Sequence, residues 1–509
     1  MEAPATSDVL FRYHFVGGAR LASDTNAATW SRLVTLPATR EVRDLALQKL
    51  AKAPWQLLRN RVAATTNDHA ELIRPLLGDL LRAESYAEFR DVTNQMPEFA
   101  LAVRLDPARA EIWKTNLATV LGAWTGSEAN TIEVDGCSGW ELKKHAAPHL
   151  IRFVRSNEWV VVGCGQDKLP LQAELLRRIQ KRGQPVDTRG DYWLDAWVDW
   201  PRLEPHLPVA LPAKLPQMRV TVTSSGENLR TKMDLLYAEP VRQEFEPWRI
   251  PTNTIHEPLI SFTAGRGMAR WLGDFKKLQG WKLDSLPDQF FLWAIGDIPF
   301  QTFLAVPSAD ATNYLEQLAP QIVELFSTNL QQHSCGSFNW STNESRLMWQ
   351  GVPAVVPFLE PVREPTGQFL LGGFFPNSPF GKPPPPELLR EFQGRSKLVY
   401  YDWEITGQRI TQWQVLSQLY QMAFDKPLLD TNAASIRWLN AIGPKLGNSV
   451  TEVSVTGPKQ LTLARKAPIG LTGFELVMLA NWLESPKFPL GGYCLPALTN
   501  APGSGPARN

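Results

Sequence analysis

The chain of 509 residues is longer than one ordinary core accommodates, and its length corresponds to roughly two to four domains. Its 52 basic and 51 acidic residues leave a net charge of +1, which supplies no bulk attraction for nucleic acid or an anionic membrane surface. The 44% hydrophobic and 20% charged residues make an ordinary globular composition, and no apolar run approaches the roughly 18 residues of a membrane span.

The first residues, MEAPATSDVLFRYHF, lack the charged and apolar regions of a signal peptide and reach a strand pattern within about ten residues. Such a beginning also suits a mature chain whose signal has been removed. Further on, PEFALAVRLDPARAEIWKTNLATVL hands a strand over to a helix. Asp106 is a good N-cap, Pro107 takes the first helical position, and Ile112, Trp113, Leu117, Val120 and Leu121 form one apolar stripe. His145 and His149 in KKHAAPHL stand four apart, but Pro148 breaks the helix that would align them as metal ligands.

Residues 157–179, NEWVVVGCGQDKLPLQAELLRRI, resemble the start of a dinucleotide site, with Gly163 and Gly165 as the first two glycines of the fingerprint. Lys168 occupies the third position, and the strand is the second arm of a hairpin that turns at Ser156 and Asn157 rather than the start of a parallel unit. Asp167 is placed to cap the helix that follows, Leu171, Leu175, Leu176 and Ile179 face a core, and Gly183 ends the helix. The glycines are therefore expected to shape backbone, and no cofactor is expected.

DYWLDAWVDW, residues 191–200, reads as a strand that places Tyr192, Leu194, Ala196, Val198 and Trp200 on one face. Trp193, Asp195, Trp197 and Asp199 then lie on the other. An alternation of indoles and carboxylates suits sugar rings, whose C–H faces stack on aromatics while their hydroxyls donate to carboxylates. These four residues are the candidate ligand-binding set, with burial of both tryptophans beneath a helix as the competing expectation.

The proline-rich segment 239–258, EPVRQEFEPWRIPTNTIHEP, reads as a connection between two lobes. Strand-to-helix openings recur beyond it in PLISFTAGRGMARWLGDF and KLVYYDWEITGQRITQWQVLSQLYQMA, each with a tryptophan in the second helical turn; VLFRYHFVGGARLASDTNAATWSRLV is a more divergent copy. Hairpins follow, turning at Gly296 and Asp297 and at Gly457 and Pro458. The last helix carries Thr472 and Glu475 at capping-box spacing.

Few residues carry recognisable chemistry. His333 and Cys335 in QQHSCGSF share a loop without catalytic geometry, and Asn339 and Asn343 matter only in a secretory eukaryotic context. Cys137, Cys164, Cys335 and Cys494 contain no CxxC, and their even number permits disulfides without arguing for them. Pro383 to Pro386 form a short polyproline spacer. No catalytic, cofactor-binding or metal-ligating residue is assigned.

The openings DVLFRYHFVGGARLASDTNAATWSRLVTLPATREVRDLALQKLAKAP and EFALAVRLDPARAEIWKTNLATVLGAW, with NEWVVVGCGQDKLPL, resemble large uncharacterised exported proteins of Verrucomicrobia and related bacteria. That resemblance implies an exported protein of α+β class and brings no catalytic residues.

The sequence thus predicts an α+β fold of two lobes, residues 1–245 and 246–498, with a disordered tail at 499–509. The lobes are built of repeated units, strand-helix then strand-strand-helix, with largely antiparallel sheets and helices on one face. The functional expectation is a non-catalytic binding or structural protein of the bacterial cell envelope, periplasmic or secreted, with polysaccharide or another envelope protein as its partner, without nucleic acid and without spanning the membrane. The alternatives are a hydrolase with an inter-lobe active site and an intracellular scaffold.

Overall fold

The computed structural model describes residues 8–58, 67–91, 97–143, 150–166, 168–186, 191–206, 215–274, 286–296, 301–332, 336–341, 345–351, 355–375, 382–384, 386–423, 432–486 and 488–489. Within these residues the chain forms one sheet of 20 strands. The first half of the chain supplies β1 (Val9–Phe15), β2 (Ser85–Arg90), β3 (Glu98–Arg104), β4 (Asn130–Val134), β5 (Cys137–Lys143), β6 (Leu150–Ser156), β7 (Trp159–Gly165), β8 (Leu194–Asp199), β9 (Gln217–Ser225) and β10 (Asn228–Leu236). The second supplies β11 (Leu259–Arg266), β12 (Gln289–Ile295), β13 (Thr302–Ser308), β14 (Ser337–Ser341), β15 (Arg346–Gln350), β16 (Phe358–Glu364), β17 (Gly367–Gly373), β18 (Leu398–Ile405), β19 (Asn448–Gly457) and β20 (Gln460–Ala467).

Neighbouring strands are antiparallel throughout. Across the first half the spatial order is β4-β5-β6-β7-β3-β2-β1-β8-β9-β10. From the opposite edge inward the second half runs β14-β15-β16-β17-β13-β12-β11-β18-β19-β20. The second order is the first with every number raised by ten. The halves meet where β10 pairs with β20 from Leu229↔Ala467 to Leu236↔Gln460, so hydrogen bonding continues unbroken between them.

The helices are α1 (Gly18–Ala22), α2 (Ala28–Val34), α3 (Pro37–Leu58), α4 (Ala70–Arg82), α5 (Pro107–Thr125), α6 (Pro170–Arg182), α7 (Trp200–Leu203), α8 (Ala269–Asp274), α9 (Ala311–Gln332), α10 (Pro386–Gln393), α11 (Thr406–Ala423), α12 (Ala434–Ile442) and α13 (Gly473–Glu484). Helix α5 starts as its sequence dictates: the Asp106 carboxylate accepts from the Arg109 amide at 2.9 Å and Pro107 follows. In α13 the side chains of Thr472 and Glu475 complete a capping box. None of these helices is long and apolar enough to cross a membrane.

The α+β class and antiparallel sheet agree with the sequence, but the helices do not keep to one face. In β3 and β7, Ala100, Ala102 and Val161 pack against Leu171, Leu175, Leu176 and Ile179 of α6. The alternate residues Val103 and Val160 pack with Trp113 of α5 and Leu76 of α4 on the other side. Both sets are apolar because both faces are covered, the pattern of a sheet buried from two sides. We call the α6 side the front and the α4–α5 side the back.

The back of the second half carries α9 over Leu347 and Leu370, and α11 and α13 over β18. On its front the proline-rich segment itself is the cover: Trp248, Ile250 and Ile255 join Phe262, Phe291, Trp293 and Phe303 in one buried cluster. Arg266, 5% exposed, pins this segment by donating to the carbonyls of Glu246, Arg395, Ser396 and Leu398, with its guanidinium over the Phe245 and Trp248 rings. The segment read as a connection is thus also part of a core. Residues from the start of the chain reach the second half as well, since Leu33 and Val42 pack with Trp438, Leu439 and Leu476.

Candidate functional site

The β6–β7 hairpin, which carries the two glycines, is a structural joint. Strands β6 and β7 turn at Asn157, whose φ is +55°, and β7 runs between β3 and β6. Gly163 and Gly165 let α6 settle on this strand: an added Cβ at Gly163 would lie 2.9 Å from the Gln172 side chain, and at Gly165 2.9 Å from Leu169 Cδ2. Helix α6 is capped from β3, because the Glu98 carboxylate accepts from the amides of Leu171 at 2.9 Å and Gln172 at 3.0 Å. A carboxylate already occupies the N–H groups that a dinucleotide phosphate would use. The expected cap, Asp167, lies outside the described residues, whereas Gly183 ends the helix with φ +74°.

The four candidate ligand residues do not all share one surface. Trp193 stands just ahead of β8, is 6% exposed, donates its indole N–H to Asp24 at 3.0 Å and packs edge-on against Trp30. Asp199 is 2% exposed and accepts from Gln217 Nε2 at 2.9 Å and from the Arg202 amide at the start of α7. Asp195 pairs with Arg219 through both carboxylate oxygens, at 3.1 and 3.2 Å. Trp197 lines an open space, and Asp195, two residues away on β8, shares its face. Trp193 and Asp199 are instead buried in separate surroundings.

That space lies on the front, where β1, β8, β9, β10, β20 and β19 lie between the part of the sheet under α6 and the part under segment 239–258. Its volume is about 990 Å³, the upper end of ordinary ligand sites. Residues directly opposite on neighbouring strands share a face, so its floor is read from the register. One row runs Arg12–Trp197–Arg219–Asp234–Thr462. The next runs Asp195–Thr221–Lys232–Ala464–Glu452–Tyr401. A third runs Thr223–Arg230–Lys466–Val450–Trp403 and continues into an adjoining recess of about 800 Å³.

Charge on this floor is unevenly matched. Besides Asp195, Asp234 accepts from Lys232 at 3.0 Å and Thr462 at 2.7 Å, and its carboxyl is held below the usual range by these partners against the opposing effect of burial. Glu452 takes both guanidinium arms of Arg395, at 2.5 and 2.7 Å. Arg12, Arg230 and Lys466 have no ion pair among the described residues. The candidate set read from the sequence includes Trp197 but none of these cations; Arg230 and Lys466 become neighbours only through the β10–β20 pairing of segments more than two hundred residues apart, and Arg12 meets Trp197 through β1–β8.

A second polar cluster lies on the back. Asp402 and Glu404 alternate with Tyr401 and Trp403 on β18 and point beneath α11 and α13; they are 8% and 3% exposed. Thr263 donates to Asp402 at 2.6 Å, and the Gly473 amide at the start of α13 donates to Glu404 at 2.6 Å. Burial pushes both carboxyls up, Glu404 to about 7, against opposing effects from these hydrogen bonds and Arg409. Arg409, 3% exposed, donates to Gln412 at 2.5 Å and lies over the Trp413 ring; burial pushes its pKa down against the pull of both acids. The signal in the sequence is YDWEITGQR, two acids on one strand face and an arginine in the next helical turn.

Among the described residues no group of three His, Cys, Asp or Glu is placed to hold a metal. Cys137 and Cys164 are free thiols, the latter pushed up by burial. His145, His149, His333, Asn343, Cys335 and Cys494 lie outside the described residues. Comparison with protein-family models, curated proteins and solved structures finds no match to this chain.

Proposed function

We propose that the chain is a non-catalytic binding protein of the bacterial cell envelope, periplasmic or secreted, that takes a polysaccharide along the front groove. The observation that carries this reading is the groove floor, where Trp197 and Trp403 offer flat apolar faces and Thr221, Thr223 and Thr462 offer hydroxyls. Its carboxylates Asp195, Asp234 and Glu452 are engaged by Arg219, Lys232 and Arg395, which suits binding better than proton transfer. The envelope location draws on the resemblance to exported proteins of Verrucomicrobia.

Affinity gel electrophoresis of the full chain against soluble polysaccharides tests the reading. Retardation by at least one polysaccharide is expected, with at least a fivefold loss of affinity in Trp197→Ala at unchanged thermal stability. Unretarded migration in every gel would overturn it. The hydrolase reading has one observation in its favour, the buried pair Asp402 and Glu404. Release of reducing sugar that Glu404→Gln abolishes would favour that alternative.

A further inference from the structure

We infer that the ligand of the front groove is an anionic glycan bearing carboxylates, of the polyuronate kind; this rests on the polysaccharide reading above. Arg12, Arg230 and Lys466 contribute three cationic groups without ion pairs among the described residues, while Asp195, Asp234 and Glu452 on the floor, and Glu88 directly opposite Arg12, each hold another basic partner; in the adjoining recess Glu227 stands 3.9 Å from Arg32, and Glu257 and Glu391 complete the acidic lining. Arg230 and Lys466, moreover, stand directly opposite each other across β10–β20, where like charges oppose strand pairing. A carboxylate lying between them would replace that repulsion with two charge-assisted hydrogen bonds.

Both ends of the cationic path carry an indole. Arg12 is directly opposite Trp197, and Lys466 is joined through Val450 to Trp403 in one cross-strand row. Arg12 and Arg230 are three strands and about four residues apart, a diagonal of roughly 20 Å from strand spacing and rise. That separation fits an extended oligomer with charges along its length rather than a single sugar. Hydroxyls of the intervening rings would meet Thr221, Asp234 and Thr462, with carboxylate and hydroxyl acceptors in place. A glycan carries hydroxyl donors for Asp234 and Glu452 as well as carboxylates for the cations, whereas a phosphodiester chain has few hydroxyls to offer these acids, so the mixed floor favours a hydroxyl-rich polymer over nucleic acid.

The test uses the full chain with polygalacturonate, its fully methyl-esterified neutral form, and oligothymidylate, at low and high salt. Polygalacturonate should bind at least tenfold more tightly than the ester, and high salt should abolish the difference. The double variant Arg230→Gln/Lys466→Gln should lose at least tenfold in polygalacturonate affinity while its thermal midpoint stays level or rises, and Arg12→Gln should lose affinity at the other end. Equal binding of the acid and ester, or wild-type affinity in the double variant, would overturn the anionic assignment and leave the polysaccharide reading standing. Failure to bind any glycan in the wider gel survey would remove both. Tighter binding of oligothymidylate than of polygalacturonate would assign the cations to polyphosphate and overturn the inference.

Discussion

Replacing Glu404 with Gln changes one buried acid into an uncharged group of the same shape, and the structure sets the size and sign of the effect. The carboxyl is 3% exposed, and its neighbours are Asp402 on β18, Thr406 and Arg409 on α11 and the Gly473 amide at the start of α13. Burial raises its pKa from 4.5 to about 7, whereas the unfolded chain keeps the ordinary value. Over that interval the folded state binds the proton and the unfolded state does not, so this group's contribution makes stability fall as pH rises from about 4.5 to 7. The difference is worth about 3 kcal/mol. Glu404→Gln keeps an oxygen that accepts from the Gly473 amide but loses the titration. Urea unfolding of both proteins from pH 4 to 8 should therefore show the variant gaining on the wild type by about 3 kcal/mol as pH rises. Because Asp402 titrates in the same pocket, the comparison between variants isolates the effect better than either curve alone. A gap that stays constant across this range would refute the reasoning.

Other substitutions probe the joints of the fold. Glu98→Ala removes the acceptor for two amides of α6 and should cost about 1–3 kcal/mol, read from the urea midpoint. Gly139→Ala places a Cβ 2.0 Å from the Phe153 carbonyl oxygen, so β5 and β6 must separate; at least about 2 kcal/mol should be lost, with faster amide exchange in both strands. Arg266→Lys retains the charge but loses the planar fork that bridges the four carbonyls. It should cost about 2–3 kcal/mol and render segment 239–258 sensitive to limited proteolysis.

Local grammar was legible in the sequence wherever one segment supplied both sides of an interaction. Asp106 with Pro107, Thr472 with Glu475, the turn at Asn157 and the stop at Gly183 all depend on neighbours within a few residues. Features that depend on distant segments were not legible. The cap of α6 comes from Glu98 on another strand, and the front of the second half is covered by the proline-rich stretch rather than by helices alone.

The site divides in the same way. Alternation in DYWLDAWVDW placed Trp197 on the floor, yet Trp193 turns inward ahead of the strand and Asp199 serves α7. Arg12, Arg230 and Lys466 are unremarkable as isolated residues and acquire a common setting only through strand pairing. Helices on both faces were missed because β3 and β7 are short apolar runs, and a short run does not reveal how many sides are covered.

The β10–β20 junction also bears on the order of synthesis. Strand β10 leaves the ribosome long before β20, so the first half must wait with an unsatisfied edge whose Leu229, Met233 and Leu235 alternate with polar residues. Charged side chains along such a strand discourage adhesion between nascent chains, and Arg230, Lys232 and Asp234 supply them. The residues that finish as groove floor are thus also guardians of the half-made protein, and neutralising them all would be felt first in the yield of soluble chain.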